Sequence, residues 1–393
     1  MTGQSDFIPF NGIRRQAEFL KHELMFEVER VVSSGQYLHG PNLNKFEDTM
    51  AQLCNREYAI AVNSGTNAMH YIFDYLQHSR ENDWSLPREN GQVKPMQIAV
   101  PNFSFKSTIN VVQKRGSIYQ IDVNEYSGLL EPRSLFTDSV LDVVMYTNLY
   151  GNMMDYSELV TVMELFLKDD NPIIIEDAAQ SFGSTYHGKP SGSFGDFSLF
   201  SFDPTKPLAS LGGGGMILTD NAVAATWLWE YLRNGKPTMD CGRVNSVMSE
   251  IDCASAILQL KYVDYWKHRR TAIAEYYNEN IDKSICTPDQ TITEGVDPNW
   301  HKYVIHTDKR NMIARHLEEQ QIETRIHYNM DKPWTSNDMN YTGARMMGTH
   351  VLSLPIYPEL TDSEVERIVQ EVNKAAKKSL PIVPSVSVTV IDD

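Results

Sequence analysis

Short, apolar, β-branched runs alternate along this chain with helical ones, and that alternation restricts it to few folds. Tyr58–Val62, Gln97–Val100, Ser117–Ile121, Val140–Tyr146 and Ile173–Ile175 read as strands. Between them, helical spacing appears from Asn63-Ser64-Gly65-Thr66 to about Leu76, near Ser107–Lys114 and around Tyr156–Phe166. Strands this apolar are covered on both faces, which predicts an α/β fold with a mainly parallel sheet between helical layers. Phe197–Phe202 and Gly215–Leu218 predict two further strands joined across a turn.

A chain of 393 residues suits one large domain with a smaller companion. The large one is expected over residues 1–250, with N-terminal helices over 11–32 and from Pro41. The smaller is expected over 251–393. A long helical stretch from Glu250 to Ile281 joins the two, and strand-like His301–Thr307 and Thr324–Tyr328 with helices over Asn311–Gln320 and Asp362–Ala376 predict a small α+β unit. Residues 79–96 are polar and read as a surface insertion, and those from Lys377 onward as a tail.

The balance of 51 acidic against 35 basic residues, a formal charge of −16, argues against a nucleic-acid or anionic-membrane surface. No window approaches the roughly 18 apolar residues of a membrane span, and Met1–Phe10 lacks the charged and apolar regions of a leader. The expected compartment is the cytoplasm. Cys54, Cys241, Cys253 and Cys286 lack CxxC or Cys/His spacing, so neither zinc nor a disulfide framework is expected. His187, His301 and His327 stand singly and read as structural or surface residues.

The chemistry concentrates at strand ends. Ile173–Ile175 runs into Glu176-Asp177-Ala178-Ala179-Gln180, and a carboxylate there is costly to bury without a cationic partner. One segment later Lys206 stands between the apolar strand Phe197–Phe202 and Gly212–Gly215, a setting that lowers an amine's pKa and makes it a nucleophile. Acid and lysine together suggest pyridoxal phosphate, the lysine as Schiff-base nucleophile and Asp177 keeping the pyridine nitrogen protonated. An ordinary ion pair explains Asp177 equally well. Glu176 should face the other way and receives no catalytic role. Ser64-Gly65-Thr66 at a helix start suits a phosphate, or serves only as a cap. Phe105 stacks on a ring or packs in the core.

Taken in order, these segments resemble the DegT/DnrJ/EryC1/StrS family of sugar aminotransferases. The likeness runs from Ile8-Pro9-Phe10-Asn11 and Ser34-Gly35-Gln36-Tyr37 through Asn63-Ser64-Gly65-Thr66, Val100-Pro101-Asn102-Phe103-Ser104-Phe105, Glu176–Gln180 and Phe200–Lys206 to Arg269-Arg270 and Leu352–Ile356. The resemblance implies fold type I, the aspartate aminotransferase fold, with pyridoxal 5'-phosphate. It implies Lys206 as the Schiff-base lysine, Asp177 on the pyridine nitrogen, Gln180 near the phenolic oxygen, Phe105 on the ring, and Gly65, Thr66 and Ser201 on the phosphate. It also implies that Asn245 reaches the neighbouring subunit's phosphate site in a homodimer with shared active sites.

The chain departs from residues common in the family at Pro207, Gly213 and Val247. Members acting as sugar dehydratases carry histidine in place of the lysine, so Lys206 favours transamination. The expected reaction passes an amino group from glutamate or glutamine to a keto sugar, nucleotide-linked and deoxygenated. A dehydratase or other pyridoxal-phosphate enzyme is one alternative, and an inactive sugar-nucleotide-binding scaffold is another.

Overall fold

The computed structural model describes residues 7–83, 85–86, 88–89, 91–135, 140–167, 171–233, 244–329 and 341–378. Cys241 and most of the expected tail lie outside them. Seven strands form the large sheet: β1 (Tyr58–Val62), β2 (Met96–Pro101), β3 (Gly116–Ile121), β4 (Val143–Thr147), β5 (Ile173–Asp177), β6 (Phe197–Ser201) and β7 (Gly215–Thr219). Their order is β1-β7-β6-β5-β4-β2-β3, and only β7 runs against its neighbours. The mainly parallel expectation therefore holds, with β6 and β7 antiparallel across the lysine turn.

Strand side chains alternate between faces. Met145, Ile175, Leu199 and Ile217 pack with helices Gly65–Asn82 and Ala222–Leu232. On the other face Val144 and Tyr146 meet helix Tyr156–Phe166, while Phe200, Met216 and Leu218 meet helix Pro41–Leu53. That alternation decides where the acidic pair points. Asp177 follows Ile175 toward the face where helix Gly65–Asn82 begins, and Glu176 points away from it.

A second core joins strands Tyr303–His306 and Val351–Leu354, paired antiparallel, to helices Arg310–Glu319 and Asp362–Ala376. Thr361 and Glu364 close a capping box at the start of the last helix. Ile8 is buried in this core and bridges to Ile322, so the N-terminal segment packs with the C-terminal lobe. Helix Val263–Asn280 serves both cores, with Val263 under helix Pro41–Leu53 and Ile273, Ala274 and Tyr277 in the smaller lobe.

Several expected boundaries shift. The Glu250–Ile281 stretch is two helices, Glu250–Leu260 and Val263–Asn280, because Lys261 and Tyr262 N–H groups bond three residues back rather than four. Helix Gly65–Asn82 runs past Leu76, held near its end by the Arg80–Asp142 ion pair. The fourth strand starts at Val143 because Val140 is exposed. Thr324–Tyr328 is no strand: only Arg325 pairs, in an isolated bridge to Ser353. Within 79–96 the described residues include a two-stranded ribbon, Arg88–Glu89 with Gln92–Val93. Among the described residues no helix is long and apolar enough to cross a membrane.

Candidate active site

The carboxyl ends of β4, β5 and β6 reach the same level, with Thr147 beside Asp177 and Asp177 beside Leu199. Open parallel sheets bind ligands at this edge. A cleft of about 630 Å³ lies there, lined by Ser64, Gly65, Thr66, Phe105, Asp177, Gln180, Ser201 and Lys206. Seven of the eight residues singled out in the sequence thus share one cavity. Asn245 is outside that lining; it is exposed and bridges to Arg233.

Asp177 is buried and accepts from the Ala179 N–H at 3.1 Å and the Thr147 hydroxyl at 3.5 Å. Burial pushes its carboxyl up, against the pull of the Ala179 N–H and the positive charge of Lys206. Among the described residues no cation lies within ion-pair distance of it, so the ordinary ion-pair explanation lacks a partner. Glu176 is a different object. It accepts from the Gly192 N–H at 3.0 Å, the Phe194 N–H at 3.1 Å, the Asn148 amide at 2.9 Å and the Ser198 hydroxyl at 3.0 Å, pinning the 191–198 segment behind the sheet.

Lys206 sits in the turn after β6, its N–H donating to the Asp203 carbonyl at 2.9 Å. Its side chain keeps one flank open to the cleft, while the amine itself is densely surrounded by protein. That crowding lowers its pKa, and Asp177 and Asp203 only partly oppose the shift. Among the described residues the amine has no ion-pair partner. The result is a lysine that loses its proton more readily than an exposed one and faces an open cavity.

Ser64 caps helix Gly65–Asn82, its hydroxyl accepting from the Asn67 N–H at 3.1 Å. The first helical N–H groups, on Gly65 and Thr66, have no intrahelical carbonyl to meet and line the cleft. The helix start is pressed against β6: a Cβ on Gly65 would stand 2.8 Å from Ser201 Cβ and 3.2 Å from the Phe200 carbonyl oxygen. Ser201 thereby stands beside the helix start in the same cleft. Phe105 is 40% exposed on the cleft wall, so core packing is excluded for it.

Gln180 is fixed at both ends, its carbonyl oxygen accepting from the Tyr150 N–H at 3.0 Å and its amide donating to the Tyr328 hydroxyl at 2.9 Å. Tyr328 was not legible as a site residue, nor were Lys302, Arg325 and Asn329, which also line the cleft. They come from segments without a motif, brought in by the smaller lobe. His327, expected to be structural or on the surface, is buried against Ser353 Oγ at 2.8 Å and reaches the cleft wall. Among the described residues no cluster of His, Cys, Asp or Glu could hold a metal ion.

Residues 19–373 match the DegT/DnrJ/EryC1/StrS aminotransferase family. The chain is 31% identical to the dTDP-3-amino-3,6-dideoxy-alpha-D-galactopyranose transaminase of Aneurinibacillus thermoaerophilus, over 93% of this chain and 99% of that one. It is 27% identical to the dTDP-3-amino-3,4,6-trideoxy-alpha-D-glucose transaminase of Streptomyces venezuelae, over 94% and 97%. Among solved structures, that of S. venezuelae DesV superposes with a TM-score of 0.85 at 26% identity, covering 95% of this chain and 99% of the other.

Proposed function

The chain belongs to the DegT/DnrJ/EryC1/StrS aminotransferase family and is a pyridoxal-phosphate-dependent aminotransferase of fold type I, and from that premise we propose that it carries an amino group from glutamate or glutamine to a nucleotide-linked keto-deoxy sugar. The observation that carries this reading is the pairing of a buried, uncompensated Asp177 with a proton-shedding Lys206 across one cavity. The named relatives act on dTDP-linked amino sugars, which supports the acceptor class.

The residues fit the cofactor. Asp177 lacks a cation and a protonated pyridine nitrogen is one; Gly65, where an added Cβ has no room, lines the cleft with Thr66 and Ser201 at a helix start whose first N–H groups have no intrahelical acceptor. Bound there, pyridoxal phosphate supplies an electron-withdrawing ring that stabilises negative charge at a carbon losing its proton. Asp177 would hold the positive charge at the ring nitrogen, and Phe105 would cover the ring and exclude water. Gln180, locked by Tyr150 and Tyr328, would offer its remaining amide N–H to the phenolic oxygen. Lys206 Nζ would carry the proton between the donor's α-carbon and the cofactor's C4′ carbon.

The same proposal includes a homodimer in which Asn245 completes the partner's phosphate site. Its exposure, together with exposed Phe19, Met25 and Phe26 on helix Ile13–Ser34, supports that arrangement. A cytoplasmic location fits the free thiols of Cys54, Cys253 and Cys286. Retention of Lys206 speaks against the dehydratase and scaffold readings. The test is to give the loaded enzyme glutamate or glutamine, assay the 2-oxoglutarate or 2-oxoglutaramate released, then add dTDP-linked keto-deoxy sugars and weigh the products. A stoichiometric amount of the donor's 2-oxo acid followed by an amino sugar is expected; release of neither refutes the proposal.

A further inference from the structure

Behind the Lys206 turn lies a second cavity of about 70 Å³, which shares Thr205, Lys206 and Lys302 with the main cleft. Its other walls include Asn11, Arg270, His301 and Tyr357. Arg270 is only 6% exposed, and its Nε donates to the Asn299 carbonyl at 2.9 Å. Arg270 Nη2 is buried with no acceptor among the described residues, and His301 Nε2 and the Tyr357 hydroxyl in the same wall also lack partners. Three residues with an orphaned polar group therefore line one small space. No carboxylate among the described residues stands within 4.0 Å of the guanidinium.

A buried guanidinium without a counter-ion is unfavourable, and burial pushes this one down to about 10. Glu359 also lines the cavity but acts on Arg270 only from a distance, and its own carboxyl is pushed up toward the protonated form by burial. The missing partner is an anion. A space of this size holds a few water-sized groups, enough for a carboxylate on a short chain and too little for a hexose.

We propose that this cavity receives a carboxylate of the amino donor, held by Arg270 Nη2 with the Tyr357 hydroxyl as second donor. The inference rests on the aminotransferase reading above and deepens it. Lys206 lines both cavities, so a donor anchored at Arg270 presents its α-carbon on the side where the lysine amine exchanges protons. Arg270 is a binding residue in this account, and the sugar acceptor does not use it.

The test uses wild-type holoenzyme and the variants Arg270→Gln and Tyr357→Phe, with glutarate as an unreactive dicarboxylate probe. Glutarate affinity is read by calorimetry, and KM is read separately for glutamate and for the keto sugar. Arg270→Gln is expected to weaken glutarate and raise the glutamate KM at least about tenfold, with the sugar KM within about twofold. Tyr357→Phe is expected to shift the same two quantities by about threefold, and it carries the test alone if Arg270→Gln does not fold, because it removes only an unpaired hydroxyl. Unchanged glutarate affinity in the folded variants overturns the proposal, as does an equal loss for the sugar. Wild-type holoenzyme that releases neither 2-oxoglutarate from glutamate nor 2-oxoglutaramate from glutamine overturns the aminotransferase reading itself, whereas a competent wild type with unaltered variants overturns only the donor pocket.

Discussion

Replacing Gly65 by alanine tests whether the helix start holds the cofactor's phosphate. The new Cβ would stand 2.8 Å from Ser201 Cβ and 3.2 Å from the Phe200 carbonyl oxygen. Carbon atoms pack at about 3.5–4.0 Å, so either the helix end or β6 must retreat by roughly 1 Å. Helix propensity does not oppose the change, since alanine is the best helix former. The cost falls instead on the position of the first N–H groups relative to Ser201. Overpacking of this kind costs about 1–3 kcal/mol, and about 1.4 kcal/mol is tenfold in affinity. Pyridoxal phosphate should therefore bind the Gly65→Ala apoprotein about ten- to a hundredfold more weakly in an absorbance titration. Pyridoxal, which lacks the phosphate, should bind within about threefold of wild type. Equal losses for both ligands, or no loss for either, would refute the reasoning.

Lys206→Ala should lower turnover at least about a thousandfold while the fold persists by circular dichroism, and full activity in a purified, loaded variant would discard its role. For Asp177→Asn the rate should fall roughly a hundredfold or more with part of the cofactor retained; an unchanged rate removes Asp177 from the electronics of the site. Glu176→Ala strips the acceptor from the Gly192 and Phe194 N–H groups, the Asn148 amide and the Ser198 hydroxyl, so urea unfolding should show a loss of about 3–5 kcal/mol. A loss below about 1 kcal/mol would contradict the pinning role. Burial lowers the Lys206 pKa in the folded apoprotein, so its amine is neutral at a lower pH than an ordinary lysine. Amine-labelling rates should reach their midpoint below that of the solvent-exposed lysines, and a midpoint at or above theirs would contradict the burial argument.

Much of the sheet was legible because its strands are apolar on both faces, and the local pattern alone marks Tyr58–Val62 and Ile173–Ile175. The acid at a strand end and the lysine before a glycine run were legible for the same reason, since both break an apolar pattern at a place where burial is expensive. Tyr328, Lys302 and Arg325 were not. They reach the cleft through lobe packing: Lys302 precedes the paired strand Tyr303–His306, and Arg325 and Tyr328 sit in a segment whose alternation reads as a strand but pairs only at Arg325. The orphaned Arg270 guanidinium was invisible too, because a missing counter-ion is a property of three-dimensional surroundings. Phe105 was ambiguous between stacking and packing, and exposure decided it.

The account depends on a covalent hold by one lysine. Borohydride reduction of the yellow holoenzyme, digestion and mass spectrometry of the peptides read that hold directly. A pyridoxyl group on the peptide containing Lys206, absent after Lys206→Ala, is the predicted result. Reduced protein carrying the group on another lysine, or on none, would contradict it.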